Sequence, residues 1–153
     1  LNATIKWPND VLVNGRKAGG VLVEGHFFGD IPHHAAVGIG INVNWDDIDI
    51  LDAPYVPTSL SRELGQPVDR NALAIALLNH LDRLYLAAQA GAPIHEAWRA
   101  RLSTVGQQVH LVGSGSERDA LALDVTEDGG LVVADAAGNR ETLYAGEVTL
   151  SHR

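Results

Sequence analysis

The dipeptide Asn14-Gly15 stands between two short apolar runs, DVLV at residues 10–13 and GGVLVEG at residues 19–25. Asn-Gly favours the tight two-residue turns that join antiparallel strands, because both residues tolerate the positive backbone φ that these turns need. We therefore predict a β-hairpin near the start of the chain. The first part of the chain is therefore expected to contain antiparallel strand pairs.

Two further strands are predicted in this part of the chain, at residues 3–7 and at residues 35–43. The second, AAVGIGINV, is a near-continuous apolar run, which is typical of a strand buried on both faces. Gly38 and Gly40 weaken a strand, so they indicate the close approach of another backbone or of a ligand.

Helical periodicity follows an acidic loop predicted at residues 45–57. A short helix is predicted at residues 58–64. The main helix begins after the capping residue Asp69, carries apolar residues at helical spacing and ends near residue 91. Pro93 fits the first turn of a third helix, at residues 93–102, with its apolar side chains packed inward.

The pattern changes after residue 102, where short apolar strands alternate with turns and no helical period appears. The predicted strands are at residues 107–112, 120–126, 130–135, 141–145 and 147–150. Five strands in about fifty residues predict a small SH3-like barrel. The fold class is therefore α+β, with a partial mixed sheet and helices in a domain at residues 1–102 and a barrel at residues 103–153.

Composition narrows the function. The chain of 153 residues has a net charge of -8, which argues against a nucleic-acid surface, and contains no cysteine, which excludes thiolate chemistry. No apolar run is long enough to cross a membrane, and a cytoplasmic location is expected. The chain begins at Leu1 and contains no methionine, so we expect the natural start to lie upstream.

Lysine occurs only at Lys6 and Lys17, although nine arginines are spread along the chain. Both lysines fall in a locally cationic segment, and the turn Pro8-Asn9-Asp10 lies between them. A lysine ammonium is compact and movable, which suits an oxygen that changes position during a reaction. The segment therefore indicates a site for a small anionic ligand, although from spacing alone two ordinary surface lysines would explain the pattern equally well.

The runs KWPNDVLVNGRKAGGVLVEG at residues 6–25 and GIGINVN at residues 38–44 resemble the catalytic domain of biotin protein ligases. PTSL at residues 57–60 and GEVTL at residues 146–150 are similar to the same family. The resemblance covers nearly the whole chain. It implies a class II synthetase-like catalytic domain followed by an SH3-like domain, which agrees with the change of pattern at residue 103.

The resemblance also implies a chemistry. Such ligases activate biotin with ATP to biotinyl-5'-AMP and transfer it to a lysine of a biotin carboxyl carrier protein, such as that of acetyl-CoA carboxylase. It implies that Lys17 is catalytic and contacts the biotin carboxylate and the adenylate, that Lys6 and Asn9 line the phosphate side, and that Gly20 lets the ligand approach the backbone. The amide of Asn42 matches the position expected to bind adenine.

Three roles stay open for Asp10, the second catalytic candidate: holding Mg²⁺, orienting Lys17, or accepting a proton from the attacking amine. The family's glycine- and arginine-rich loop, which would precede residue 6, is absent from the sequence. We therefore expect this chain alone to be a poor enzyme with exposed apolar sheet faces, and to be part of a longer chain or to self-associate.

Two alternatives remain, one related and one of a different class. Lipoate ligation shares the general fold and chemistry, although KWPND combined with GxLxE favours biotin. A noncatalytic ligand-binding or interaction module would require a decayed site, against which the retained Lys6, Lys17, Asp10 and Asn42 argue. The resemblance also allows a homodimer through an extended sheet, and it indicates neither a membrane nor a nucleic-acid partner.

Overall fold

A computed structural model describes residues 1–45, 56–113 and 116–150. The chain forms two compact units, one made of residues 1–3 and 9–68 and the other of residues 4–8 and 69–153. The fold is α+β, as predicted, and the described strand ladders are antiparallel. Most of the predicted acidic loop at residues 45–57 lies outside the described residues.

The first unit is built on three consecutive strands, β2 (Asp10–Val13), β3 (Arg16–Phe28) and β4 (Ile31–Ile41). The turn between β2 and β3 is the predicted one: Asn14 and Gly15 have φ of 50° and 77°, which only a residue type tolerant of the left-handed region adopts easily. Strand β1 (Ala3–Lys6) precedes this hairpin.

β3 and β4 form a long two-stranded ribbon whose apolar side chains are largely exposed. β3 continues to Phe28, three residues beyond the predicted end, because residues 26–28 pair with the start of β4. Burial of the predicted strand 35–43 on both faces is wrong for this chain, since Val37 is 54% exposed and Ile39 is 38% exposed. Exposed sheet faces were themselves expected, and the described residues provide nothing that covers them.

The first unit closes with helix α1 (Leu60–Leu64), which matches the predicted short helix. Ser59 caps its N-terminus by accepting a hydrogen bond from the Arg62 amide, and Gly65 ends it at φ 70°. The segment before α1 runs beside β3, where Lys17 and Pro57 form a parallel bridge. This bridge fixes the backbone of Lys17 from a second side.

The second unit contains helices α2 (Arg70–Gln89) and α3 (Ile94–Arg99). Asp69 caps α2 as predicted, because its carboxylate accepts hydrogen bonds from the amides of Asn71 and Ala72. Pro93 is the N-cap of α3 rather than part of its first turn. The described part of the unit has no helix long and apolar enough to cross a membrane, and the same holds for the other described residues.

The five predicted C-terminal strands are present and form one antiparallel sheet in the order β8-β7-β6-β5-β9. Their bounds are β5 (Gln108–Gly113), β6 (Ser116–Val125), β7 (Leu131–Ala134), β8 (Arg140–Leu143) and β9 (Glu147–Leu150). The core of this unit includes Trp7, which is 1% exposed, with Trp98 and Leu102 packed against it. The Trp7 amide donates to Thr104 Oγ1 and its indole Nε1 donates to Gly129 O.

Candidate functional site

A cavity of about 420 Å³ lies on one face of the sheet in the first unit. Its lining combines a cation, a carboxylate and an amide with a stretch of sheet that is rich in glycine. The lining residues are Asn9, Asp10, Lys17, Gly20, Val21, Leu22, Gly38, Ile39 and Gly40. Four of the predicted site residues, Asn9, Asp10, Lys17 and Gly20, are therefore brought together.

An ion pair between Lys17 and Asp10 dominates the electrostatics of the cavity. Lys17 Nζ lies 2.5 Å from Asp10 Oδ1, and the two side chains are 30% and 10% exposed. A carboxylate that is nearly buried holds an ammonium most strongly where water does not compete. The lysine head is thus held in place while part of it still faces the cavity.

A bulge in β3 places these two side chains on the same face. Asp10 pairs with Gly20, but the register shifts after Val11, so that Leu12 pairs with Lys17. Residues paired across a ladder share a face, and so do residues two apart in a strand. In an unbroken register continuing from the Asp10 pair, Lys17 would oppose Val13 and point to the other side of the sheet.

Asn9 is fixed by the same strand. Its side-chain Nδ2 donates to Val21 O at 2.7 Å, and its main-chain O accepts from the Val21 amide at 3.0 Å. With the amide nitrogen held in this way, the side-chain oxygen is oriented by the protein rather than by solvent. A preorganised amide of this kind suits a polar ligand.

Glycines form the floor of the cavity, where Gly20 pairs with Gly40 and Leu22 pairs with Gly38. A Cβ added at Gly40 or Gly38 would meet only one backbone oxygen, at 3.9 Å or 3.7 Å, so the space above them is open. At Gly20 an added Cβ would lie 3.4 Å from Asp10 Oδ1. The missing side chains leave room for a ligand to lie flat against the backbone.

Asn42 and Lys6 do not line this cavity. Asn42 is half-buried, its main-chain amide donates to Ala18 O, and its Nδ2 donates to Thr58 O at 3.0 Å. Lys6 lies at the end of β1 in the second unit and is 5% exposed. Their assignments to adenine and to phosphate therefore stay predictions.

The metal assignment of Asp10 also stays a prediction. Among residues 1–45, 56–113 and 116–150, no group of three or more His, Cys, Asp or Glu side chains is arranged to hold a metal ion. Among the described residues that line the cavity, Asp10 is the one carboxylate, and its Oδ1 contacts Lys17. Orientation of Lys17 is the role of Asp10 that this geometry favours.

The glycine floor was visible in the sequence as a pair of glycines in an apolar strand, although neither residue was among the predicted site residues. Another residue beside the site, Glu63, had no sequence signal at all. Its partners Asn14 and Arg16 lie 49 and 47 positions earlier in the chain. Only the tertiary fold brings such residues together.

Comparison with known proteins gives several relatives of this chain. Residues 1–42 match the model of the biotin/lipoate A/B protein ligase family. The biotin--[acetyl-CoA-carboxylase] ligase of Paracoccus denitrificans is 32% identical over 148 residues, which is 94% of this chain and 61% of the relative. The chain is similar to biotin protein ligases over nearly its whole length. The corresponding ligase of Mycobacterium tuberculosis is 30% identical over 94% of the chain and 52% of its own length.

The fold is also similar to that of a solved biotin protein ligase. The structure of the biotin protein ligase from Aquifex aeolicus in complex with biotin and ATP superposes with a TM-score of 0.78 at 24% identity, covering 99% of this chain and 62% of that one. The chain spans 61% of the length of the Paracoccus denitrificans ligase and 52% of the length of the Mycobacterium tuberculosis ligase. The activity of a whole ligase is a proposal for this chain.

Proposed function

We propose that this chain contributes one wall of the site in which a biotin protein ligase activates biotin with ATP and transfers it to a lysine of a carrier protein. One observation carries the proposal: a single lysine, held by a nearly buried carboxylate, faces a cavity floored by glycine. A floor without side chains accommodates a flat ring system, and a fixed ammonium suits the carboxylate attached to it.

The first step joins biotin to the nucleotide. A carboxylate oxygen attacks the α-phosphorus of ATP, a P–O bond forms, and the bond to pyrophosphate breaks. Lys17 Nζ is placed to donate a hydrogen bond to the carboxylate and to hold it against the phosphate as negative charges meet. Fixed donors of this kind stabilise the developing charge because they need no reorganisation.

The second step transfers the biotinyl group. The uncharged amine of the acceptor lysine attacks the acyl carbon, the C–O bond of the mixed anhydride breaks, AMP leaves with the electron pair, and the nitrogen releases one proton to solvent. Lys17 donates to the acyl oxygen as it becomes anionic. Asp10 keeps Lys17 in position, and Gly20 lets the adenylate approach the backbone.

The remaining predicted site residues are assigned to the nucleotide. We assign Asn9 and Lys6 to the phosphates, and Asn42 to the adenine edge, since one amide offers both a donor and an acceptor. The described part of the cavity lining offers one carboxylate, which already contacts Lys17, so these residues do not form a magnesium site by themselves. We derive no step through magnesium.

The proposed partner is a biotin carboxyl carrier protein, such as the carrier of acetyl-CoA carboxylase, and the proposed location is the cytoplasm. Support for the carrier comes from the similar proteins of Paracoccus denitrificans and Mycobacterium tuberculosis, which are named as ligases of acetyl-CoA carboxylase. A homodimer stays a prediction. The exposed apolar strands of the first unit would suit either self-association or further chain.

Biotin- and ATP-dependent labelling of a carrier domain by the full-length protein tests the function. Lys17→Ala should reduce labelling by about 100-fold or more, the usual effect of removing one oxyanion donor, and Lys17→Arg should also be impaired because a planar head does not fit. Arg62→Ala, on the exposed side of α1, is the matched control and should label normally. Undiminished labelling by Lys17→Ala would exclude the role of Lys17.

The melting temperature measured with each acid distinguishes biotin ligation from lipoate ligation. Biotin should raise the melting temperature of the full-length protein and lipoate should not, since a ligand stabilises only the state it binds. Protection by lipoate alone would transfer the proposal to lipoate ligation. Protection by biotin without any labelling would favour the noncatalytic binding module.

A further inference from the structure

A buried carboxylate lies in the first unit, outside the cavity. The side chain of Glu63, in α1, is only 2% exposed. Burying a charged group is unfavourable unless it is paired and hydrogen-bonded, so a buried glutamate requires a reason. The steps proposed for biotin activation and transfer do not use it.

Glu63 makes three strong contacts through its two oxygens. Oε1 accepts a hydrogen bond from Thr58 Oγ1 at 2.5 Å and lies 2.7 Å from Arg16 Nη2, while Oε2 accepts from Asn14 Nδ2 at 2.7 Å. The hydrogen bonds from Thr58 and Asn14, followed by the charge of Arg16, lower the pKa of the Glu63 carboxyl. The group is therefore ionised at neutral pH.

The three partners surround Lys17 along the backbone. Asn14 and Arg16 lie on the turn and first strand residue that lead into Lys17. Thr58 lies in the segment that pairs with Lys17 directly, since the Lys17 amide donates to Val56 O at 3.0 Å and the Thr58 amide donates to Lys17 O at 2.8 Å. One carboxylate thus ties the turn and strand residue that lead into Lys17 to the segment that pairs with its backbone.

The alternation of side chains in β3 connects this network with the cavity. Neighbouring strand residues point to opposite faces, so Arg16 and Lys17 leave the strand in opposite directions. Arg16 reaches Glu63 on one face, while Lys17 reaches Asp10 on the other. Fixing Arg16 fixes the rotation of the strand, and with it the direction in which the Lys17 ammonium points.

We propose that Glu63 is a positioning residue for Lys17, which sets the direction of the ammonium in the cavity by anchoring Asn14, Arg16 and Thr58. This inference rests on the proposed function, because it gives Lys17 the carboxylate of biotin as its ligand. Glu63 itself touches no substrate. Its effect on binding therefore passes through Lys17.

The competing explanation is that Glu63 only stabilises the fold. A double-mutant cycle separates the two, since residues that act through one another are not additive. Biotin affinity is measured by calorimetry on the full-length protein with Glu63→Gln, with Lys17→Ala and with both. Glu96→Gln, an exposed glutamate of α3, is the matched control and should bind as the wild type does.

Glu63→Gln should weaken biotin binding about tenfold when Lys17 is present and less than about twofold when Lys17 is replaced by alanine. Arg16→Gln tests the same link from the outside, because Arg16 is 40% exposed and its replacement leaves the buried residues intact. It should weaken binding about threefold, again only when Lys17 is present.

Each remaining outcome contradicts the inference. Equal losses from Glu63→Gln in both backgrounds would show a purely structural role, and wild-type affinity in Glu63→Gln or Arg16→Gln would show no link to Lys17. In both cases the wild-type protein still binds biotin, so the proposed function survives. Absence of biotin binding by the wild-type protein would overturn the proposed function and this inference with it.

Discussion

Two glycines that are close in the sheet have opposite requirements. A Cβ at Gly19 would lie 2.4 Å from Gly40 O, a backbone atom that cannot move aside easily, whereas a Cβ at Gly40 would find its nearest atom at 3.9 Å. Gly19 is therefore needed for the sheet to pair. Gly40 is not needed by the described part of the fold, which leaves the cavity as the reason for its lack of a side chain.

Gly19→Ala and Gly40→Ala should therefore separate folding from binding. Gly19→Ala should lower the free energy of unfolding by about 1–3 kcal/mol, the usual cost of overpacking. Gly40→Ala should leave the unfolding free energy within about 0.5 kcal/mol but weaken biotin binding, because its methyl group enters the cavity. Urea unfolding and calorimetry check the two effects, and equal biotin affinity in Gly40→Ala and wild type would contradict the placement of the ligand.

Individual residues were predictable from sequence where the signal was local. The Asn-Gly turn brought Asp10 and Lys17 near each other, although the bulge that puts them on one face leaves no signature in the sequence. Glu63 was not predictable, because its importance comes from contacts made across 47 to 49 positions. Packing was the favoured interpretation of Trp7 over covering a ligand ring, and its burial in the core agrees with packing.

At the level of elements, α2 exposes many large apolar side chains. Apolar residues at helical spacing normally pack against the rest of a protein, yet none of the residues of α2 is buried against the described parts of the chain. Ile75 is 61% exposed, Leu78 62% and Tyr85 61%. Apolar surface of this extent marks an interface.

We expect the 153-residue chain on its own to associate through such surfaces. Leu78→Lys combined with Leu86→Lys should shift it towards monomer, since both changes place charges on exposed apolar positions of α2 without removing a buried contact. Analytical ultracentrifugation measures the change, and Asn79→Lys, an exposed polar position on the same helix, is the control. A cooperative monomer before any substitution would contradict this expectation.

The bounds of α2 and of the β2–β3 hairpin followed closely from local chemistry. Asp69 caps the helix by bonding to two amides, and Asn14-Gly15 sets the turn. Local sequence does not show which other part of the protein will pack against an element. For that reason the pattern predicted burial for the strand at residues 35–43, while the structure leaves its apolar residues open.

At the scale of the molecule, several ionisable groups of the second unit have pKa values that are shifted in opposite directions. His110 in β5 pairs with Asp119 in β6, at 3.0 Å from Nδ1 to Oδ1. The hydrogen bond that His110 donates to the Asp119 carboxylate raises the pKa of His110, while hydrogen bonds donated by Thr126 and Asn139 lower the pKa values of Asp128 and Asp135. These groups contribute stability on opposite sides of the pH scale.

His110→Gln should reveal the sign of the histidine contribution. A pKa raised in the folded state gives stability that is fully present below the unfolded pKa, near 6.5, and that is lost as pH rises through the folded pKa. The loss of unfolding free energy in His110→Gln should therefore be largest near about pH 5 and vanish above about pH 8.

Urea midpoints measured across this range test that window. Asp119→Asn should reproduce the same window, and the double variant should add little to either single change. A loss that is equal at about pH 5 and about pH 9 would contradict the assignment to the His110–Asp119 pair.

The second unit joins residues 4–8 to residues 69–153, and its core depends on an indole from the beginning of the chain. Trp7 bonds to Thr104 and to Gly129, 97 and 122 positions later. During synthesis at typical rates, Trp7 leaves the ribosome on the order of ten seconds before Gly129 does. The large apolar ring of Trp7 stays exposed during that interval. A nascent chain interrupted before residue 129 would therefore expose Trp7 to chaperones and proteases.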